Sequence, residues 1–161
     1  MVTASAIEAL LEDVHDPEIP TVSIADLGIL RGVEVAGDTV EITITPTYCG
    51  CPAVDTIRAD IVTALNGAGL SNVRIREQLS PAWTTDWVSE RGRRQLLEAG
   101  IAPPAQRGCA AGATGGVNGA VACVHCASED TEMLSEFGST ACKSLYRCRA
   151  CGEPFDYFKC I

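Results

Sequence analysis

Two pairs of cysteines near the end of the chain constrain its fold more than any other feature of the sequence. Each pair has the spacing Cys-x-x-Cys, 21 residues separate the pairs, and the four positions are Cys123, Cys126, Cys148 and Cys151. Each turn directs two sulfurs at one point, and two turns supply the tetrahedral thiolate set that Zn²⁺ prefers. The spacing predicts a zinc ribbon with these four ligands. Rubredoxin-like iron or a shared iron–sulfur cluster is the alternative.

The segment that carries these cysteines is too short to fold on apolar burial alone. Short strands are predicted at residues 133–140, 143–147 and 155–158. Domains below about 40 residues usually need metals or disulfides for stability. The chain opens without a charged and apolar leader, so we expect a reducing cytoplasmic environment, in which nine cysteines indicate metal ligands or reactive thiols. A structural zinc ion is therefore the expected cofactor of the ribbon.

Composition divides the chain into two folded units. The 161 residues are 47% hydrophobic, which allows one core of about 80 to 100 residues in addition to the ribbon. Residues 103–122 are rich in proline, glycine and alanine and are predicted to form a flexible linker. The predicted units are residues 1–102 and residues 123–161.

Charge and hydropathy exclude two classes of partner. The formal net charge is -9, and most of the excess acid lies in residues 1–79. Binding to phosphate backbones requires a basic surface, so nucleic acid is not an expected partner. No apolar run approaches the length of a membrane span, so a membrane is not expected either.

Hydrophobic periodicity predicts the order αββαβ for the first unit. Apolar residues at helical spacing, behind a Ser5/Glu8 capping box and before Pro17, predict the first helix; they are Ile7, Leu10, Leu11 and Val14. Alternating residues on both sides of Gly37-Asp38 predict a hairpin with a type II′ turn. A second helix begins near Pro52, a third strand covers residues 73–79, and a further helix covers residues 85–99. The predicted fold class is α+β, with helices packed on a three-stranded sheet.

A second candidate site lies in the loop before the second helix, residues 45–52. Cys51 stands at the helix N-terminus, where free N–H groups and the helix dipole favour a thiolate. This position suits a nucleophile or a metal ligand, although a small buried residue that only begins the helix fits it too. Cys49 could join Cys51 as a redox pair or as a transient two-sulfur clamp.

A third cluster is the rigid turn after the first helix, where two prolines hold Asp16 and Glu18 close together. Carboxylates in such a turn cap backbone N–H groups, orient the thiol loop or bind a metal. The sequence alone leaves these roles open.

Taken together, these motifs resemble a known family. Asp-Pro-Glu at 16–18, Asp-Leu-Gly at 26–28 and the loop 45–52 are similar to the domain of SufT-like and MIP18-like iron–sulfur assembly factors, over most of residues 3–79. The segments 137–143 and 148–159 resemble the C-terminal ribbon of the PaaD family, the accessory proteins encoded with the bacterial phenylacetyl-CoA oxygenase. The resemblance extends over nearly the whole chain outside the linker.

The resemblance implies a non-catalytic role in phenylacetate degradation. The chain would help to assemble or insert the metal centre of the oxygenase, with Cys51 as a transient ligand for iron or an iron–sulfur cluster. Asp16 and Glu18 would form the acidic turn beside it, and the ribbon would be a docking module. The implied partners are oxygenase subunits, iron–sulfur assembly proteins or both. Cys142, in the family's Gly-Ser-Thr-Ala-Cys-Lys stretch, is either a core thiol or an additional reactive sulfur.

Two other functions compete with this interpretation. The chain could be a thiol-redox protein that uses Cys49 and Cys51, or a structural subunit of the oxygenase without chemistry of its own. A homodimer is compatible with each alternative. The roles of Cys49 and Cys160 stay open.

Overall fold

The computed structural model describes residues 2–104 and 121–160, which form two compact units. The first unit is Met1–Trp83 and the second is Thr84–Ile161. Most of the predicted linker, residues 105–120, lies outside the described residues. No helix in the described part of the chain is long and apolar enough to cross a membrane.

The first unit contains two helices, a short strand pair and a three-stranded sheet. Its elements are α1 (Ala4–Leu11), β1 (His15–Asp16), β2 (Ile19–Ser23), β3 (Leu30–Ala36), β4 (Thr39–Ile44), α2 (Ala53–Gly67) and β5 (Val73–Glu77). The sheet has the order β3-β4-β5, in which β3 and β4 are antiparallel and β4 and β5 are parallel. Helix α2 is the crossover that two parallel strands require. The predicted α+β class and αββαβ order are confirmed, and the pair β1–β2 is an addition.

Local sequence explains the hairpin of the first unit. Ala36 pairs with Thr39, and Gly37 has a φ of +66°, as the first position of a type II′ turn requires. The alternating apolar residues of β4 are buried together with the apolar stripe of α2: Val40, Ile42, Ile44, Ile57, Ile61 and Leu65. This core fixes the junction between β4 and α2, where the thiol loop lies.

Helix α1 is shorter than predicted. The hydroxyl of Thr3 caps it by accepting the N–H of Ala6, so the predicted Ser5/Glu8 capping box is wrong. The helix ends at Leu11 and not at Pro17, because His15 and Asp16 pair with β2 instead. Because the helix ends early, the acidic turn with Asp16 and Glu18 connects the strands β1 and β2.

The second unit is built on a four-stranded sheet of order β6-β9-β8-β7. Its elements are a 3₁₀ turn (Thr85–Trp87), α3 (Glu90–Glu98), β6 (Ile101–Ala102), β7 (Thr131–Ser135), β8 (Lys143–Cys148) and β9 (Pro154–Phe158). The predicted helix 85–99 is divided, because Ser89 has an extended backbone and caps α3 by accepting the N–H of Gly92.

The boundary between the units differs from the predicted one. Strand β6 pairs in parallel with β9, so that Ile101 faces Asp156 and Ala102 faces Tyr157. Residues 84–102 therefore belong with the ribbon, whereas the sequence assigned them to the first unit. The pairing joins segments more than 50 residues apart, and local periodicity carries no signal for it.

A buried arginine ties α3 to its neighbours in the second unit. The guanidinium of Arg93 donates one hydrogen bond to the carbonyl of Pro104 and another, of 3.1 Å, to the carbonyl of Thr85. Arg93 is buried, whereas Arg94 in the next position is exposed. Both carbonyls would lose a charged donor if Arg93 were truncated.

We expect Arg93→Ala to lower the free energy of unfolding by about 2 to 3 kcal/mol, because two carbonyls lose charge-assisted hydrogen bonds. Arg94→Ala, on the same helix, is the matched control and should change it by less than about 0.5 kcal/mol. Urea denaturation measures both values. Equal effects of the two substitutions would contradict the assigned role of Arg93.

Candidate functional sites

The structure brings the four ribbon cysteines together. Cys123 and Cys126 precede β7, Cys148 ends β8, and Cys151 lies in the turn before β9. All four Sγ atoms lie within 4.8 Å of one another. The Sγ atoms of Cys123 and Cys151 are 3.7 Å apart, and those of Cys126 and Cys148 are 3.5 Å apart.

These distances fit a zinc ion. Four sulfurs at about 2.3 Å from Zn²⁺ in a tetrahedron stand roughly 3.8 Å from one another. In the described residues, this is the one group of three or more histidine, cysteine or acidic side chains placed to hold a metal. A bound zinc ion would supply charge compensation and cross-link the two turns.

The acidity of the thiols shows why the site needs a cation. The backbone N–H of Cys151 bonds to the sulfur of Cys148 and is the main cause that lowers the pKa of Cys148 to about 6. The N–H of Glu153 favours a thiolate at Cys151, but desolvation and the neighbouring sulfurs outweigh it and raise the pKa of Cys151 to about 12. Cys151 therefore keeps its proton at neutral pH unless a positive ion joins the cluster.

The two Cys-x-x-Cys turns share a backbone hydrogen bond, and they differ in the residue that follows the second cysteine, which is alanine in one and glycine in the other. The N–H of Ala127 donates to the carbonyl of Cys123 at 2.9 Å, and the N–H of Gly152 donates to the carbonyl of Cys148 at 2.9 Å. Both residues adopt the left-handed conformation, with φ of +60° for Ala127 and +83° for Gly152. Alanine is strained there and glycine is not.

Removing one ribbon ligand should release the metal. We expect a serine at Cys123, Cys126, Cys148 or Cys151 to lower the zinc content by close to one equivalent per chain, because three sulfurs do not complete the tetrahedron. Cys142→Ser is the matched control, since Cys142 is buried in the same unit but lies outside the cluster. Elemental analysis measures zinc, and a full equivalent in each ligand variant would contradict the assignment.

The strain at Ala127 gives a second prediction. Ala127→Gly should raise the free energy of unfolding of the zinc-loaded protein by about 1 kcal/mol, because glycine adopts the left-handed conformation without a Cβ clash. Gly152→Ala, at the equivalent position, should lower it by at least as much. Urea denaturation in the presence of zinc compares the two. Changes of the same sign would show that the turns do not share this constraint.

The thiol loop forms a tight turn at the start of α2. The N–H of Cys51 donates to the carbonyl of Tyr48 at 3.3 Å, and Gly50 has a φ of +79°, as the third position of a type II turn requires. Pro52 is the N-cap of α2. Cys49 lies at the exposed corner of the turn, whereas Cys51 is half-buried. The turn thus gives the two thiols different surroundings.

The surroundings of Cys51 overturn one sequence expectation. Burial is the main cause that raises the pKa of the Cys51 thiol above its ordinary value. The N–H of Ala53 and the hydroxyl of Tyr48 oppose it, but the carboxylates of Glu18 and Asp16 raise the pKa further. The sequence predicted that the helix N-terminus would favour a thiolate at Cys51. This prediction is wrong, because the net effect of the surroundings is to raise the pKa of Cys51. Tyr48 was not identified from the sequence as a hydrogen-bond partner of Cys51. The signal was available, because a turn with glycine in its third position brings its first and fourth residues together.

The acidic turn has a structural role and also acts on the thiol. Asp16 is buried, and its Oδ1 accepts the N–H of Glu18 at 2.7 Å and the N–H of Ile19 at 3.0 Å. These bonds fix the connection between β1 and β2. Glu18 has the stronger electrostatic effect on Cys51 of the two carboxylates. The structure thus brings three predicted residues, Asp16, Glu18 and Cys51, to one place.

Cys49 and Cys51 do not form a bonded pair. Both are free thiols in the structure, and Cys49 is exposed. A preformed redox pair or a closed two-sulfur clamp is therefore not observed at the loop.

Comparisons with known proteins match both parts of the chain. A family model described as an iron–sulfur cluster assembly protein matches residues 4–75, and one described as the PaaD zinc beta ribbon domain matches residues 109–159. The putative D subunit of a 1,2-phenylacetyl-CoA epoxidase from Escherichia coli K12 is 50% identical over 153 residues, which cover 95% of this chain and 90% of that protein.

Two further relatives match the first unit. An Fe–S protein maturation auxiliary factor from Porphyromonas gingivalis is 36% identical over 96 residues, covering 58% of this chain and 90% of that protein. The crystal structure of a domain of unknown function, DUF59, from Bacillus anthracis has a TM-score of 0.54 at 28% identity and covers 58% of this chain and 90% of that one.

The chain thus combines a domain of the iron–sulfur cluster assembly type with a C-terminal zinc ribbon. It belongs to the PaaD family, as its similarity to the putative epoxidase D subunit of Escherichia coli and the match of its ribbon show. The similarity is to an accessory protein and to assembly proteins, not to a catalytic enzyme.

Proposed function

We propose that this chain is an accessory maturation factor for the metal centre of a phenylacetyl-CoA oxygenase. In this proposal Cys51 binds iron or an iron–sulfur cluster transiently and releases it to the oxygenase. The observation that carries the proposal is the half-buried Cys51 thiol at the start of α2, under the electrostatic influence of Glu18 and Asp16.

The chemistry of this site suits cargo that must leave again. A thiol with a raised pKa is protonated at neutral pH, so an incoming metal ion must displace the proton and gains less than it would from a preformed thiolate. The carboxylates of Glu18 and Asp16 attract a cation toward the sulfur. One sulfur with nearby carboxylates provides fewer strong ligands than the four sulfurs of the ribbon, so binding should be weaker and exchange faster.

Cys49 is proposed as the thiol that meets the cargo first. It lies at the exposed corner of the turn, two residues before Cys51. Its exposure makes it accessible to a donor or an acceptor protein, whereas Cys51 is partly shielded. Cys49 therefore assists the transfer and Cys51 holds the cargo.

The raised pKa of Cys51 argues against the thiol-redox alternative. Thiol–disulfide enzymes use an attacking thiolate whose pKa is lowered by its surroundings. Burial and the carboxylates act in the opposite direction at Cys51. The name of the Escherichia coli relative supports oxygenase subunits as the partners, and the zinc ribbon is the proposed docking module.

Cys51→Ser tests the binding of cargo by Cys51 separately from zinc binding by the ribbon, since it keeps the shape of the side chain and removes the soft sulfur. We expect the stability to change by less than about 1.5 kcal/mol, as for near-isosteric substitutions. In cells that carry the variant, the oxygenase should contain less metal and lose activity. Zinc in the ribbon should stay at one equivalent per chain, and Cys49→Ser should have a milder effect.

The readouts are the iron content of the purified oxygenase and its rate of phenylacetyl-CoA turnover. Full metal loading and activity of the oxygenase with the Cys51→Ser protein would contradict the maturation mechanism. That outcome would favour a structural role within the oxygenase instead.

A further inference from the structure

The second unit exposes three large apolar side chains close together in sequence. Met133 and Leu134 lie on β7 and Phe137 lies in the turn that follows; their side chains are 55%, 49% and 62% exposed. Strand β7 is the edge of the four-stranded sheet. We refer to Met133, Leu134 and Phe137 as the β7 patch. Single exposed apolar residues are common, but three on one segment make this segment a candidate interaction surface.

A β-bulge explains why two consecutive residues of β7 are exposed. Met133 pairs with Tyr146 and Ser135 pairs with Leu145, so Leu134 is the extra residue between them. A bulge interrupts the alternation of side chains between the two faces of a strand and re-aims them. It also disrupts the free edge, which disfavours the addition of another strand. The β7 patch is therefore suited to side-chain contacts and not to strand pairing.

The backbone of Phe137 is fixed by hydrogen bonds, although its side chain is exposed. The Ser135 hydroxyl donates to the carbonyl of Phe137 at 2.7 Å and accepts its N–H at 3.2 Å. A Cβ on Gly138 would come within 3.0 Å of Oδ1 of Asp156, so the chain after Phe137 is closely packed. An aromatic side chain on a fixed turn loses little conformational entropy when a partner covers it.

Lys159 defines the chemistry of the surface that would cover the patch. Its Nζ lies 4.0 Å from the centroid of the Phe137 ring. In the described part of the chain, no carboxylate forms an ion pair with this ammonium group. With a cation already on one face of the ring, the open face favours an apolar group over a second cation. The ammonium group at the rim favours a carboxylate.

We propose that the β7 patch is the docking surface of the ribbon, and that it inserts Phe137 into an apolar pocket with a carboxylate at its rim on an oxygenase subunit. Lys159 pairs with that carboxylate. The proposal rests on the proposed function, because it names the surface through which the maturation factor reaches its recipient. Nothing in it depends on how Cys51 binds the cargo.

The test measures binding of the full-length, zinc-loaded protein to each purified partner subunit of the phenylacetyl-CoA oxygenase by isothermal titration calorimetry. Phe137→Ala should raise the Kd by at least about tenfold, as for an aromatic anchor at the centre of an interface. Leu134→Ser tests the same patch without changing the Phe137 turn and should also weaken binding. Leu79→Ala, at a leucine that is 54% exposed elsewhere, should leave the Kd unchanged.

Charge substitutions test the chemistry of the partner. Lys159→Glu should weaken binding, whereas Glu136→Lys, on the same turn as Phe137, should not weaken it. If Lys159→Glu does not weaken binding but Glu136→Lys does, the partner surface is basic and the proposal is overturned. An unchanged Kd for Phe137→Ala and Leu134→Ser, or the absence of binding by the unaltered protein, would also overturn it.

The same preparations distinguish this proposal from the proposed function. If the patch variants bind as the unaltered protein does but Cys51→Ser still prevents metal loading, the docking surface is refuted and the maturation role stands. If the patch variants lose binding while the Cys51→Ser protein loads the oxygenase fully, the docking surface stands and the role of Cys51 is refuted.

Discussion

The crowding of four sulfurs is the interaction on which the second unit depends. Sulfurs within 4.8 Å of one another repel strongly if all are ionised, and a shared dication removes that repulsion. A bound ion would join the loop before β7 to the turn between β8 and β9, and so would cross-link three neighbouring strands of the sheet. Apolar burial around Tyr146, Phe155 and Tyr157 adds to this cross-link but forms only a small core.

In the described residues of the first unit, the thiol of Cys51 is not part of a cluster of sulfurs. Its core fixes the junction between β4 and α2, and the type II turn at this junction presents Cys51 without other sulfurs bonded to it. Asp16 holds the strand connection through two backbone bonds, which keeps Glu18 in place to act on the thiol. One unit thus has four sulfurs grouped at one point, and the other has the half-buried Cys51 thiol under the influence of two carboxylates.

The sequence predicted features that depend on nearby residues. The hairpin at Gly37-Asp38 and the start of α2 at Pro52 are local signals, and the structure contains both. The convergence of two Cys-x-x-Cys turns follows from spacing that only a few folds satisfy, so the ribbon could be predicted too.

Features that depend on distant residues could not be predicted in this way. The sequence predicted that the first unit ends at residue 102, whereas it ends at Trp83 in the structure, because β6 pairs with β9, far along the chain. The pKa of Cys51 is raised because burial and the carboxylates after α1 outweigh the helix N-terminus, and helical position alone does not reveal them. The bulge that exposes both Met133 and Leu134 depends on the register with β8, which alternation in a single strand does not show.

The most direct test of the central claim is the metal content of the protein produced and purified without oxygen, with its absorption spectrum and acid-labile sulfide. The account predicts one equivalent of zinc per chain, together with iron that leaves the protein when the metal-free oxygenase is added. Zinc alone, with no iron bound after incubation with ferrous iron and sulfide and none transferred to the oxygenase, would contradict the claim that this chain carries the metal cargo.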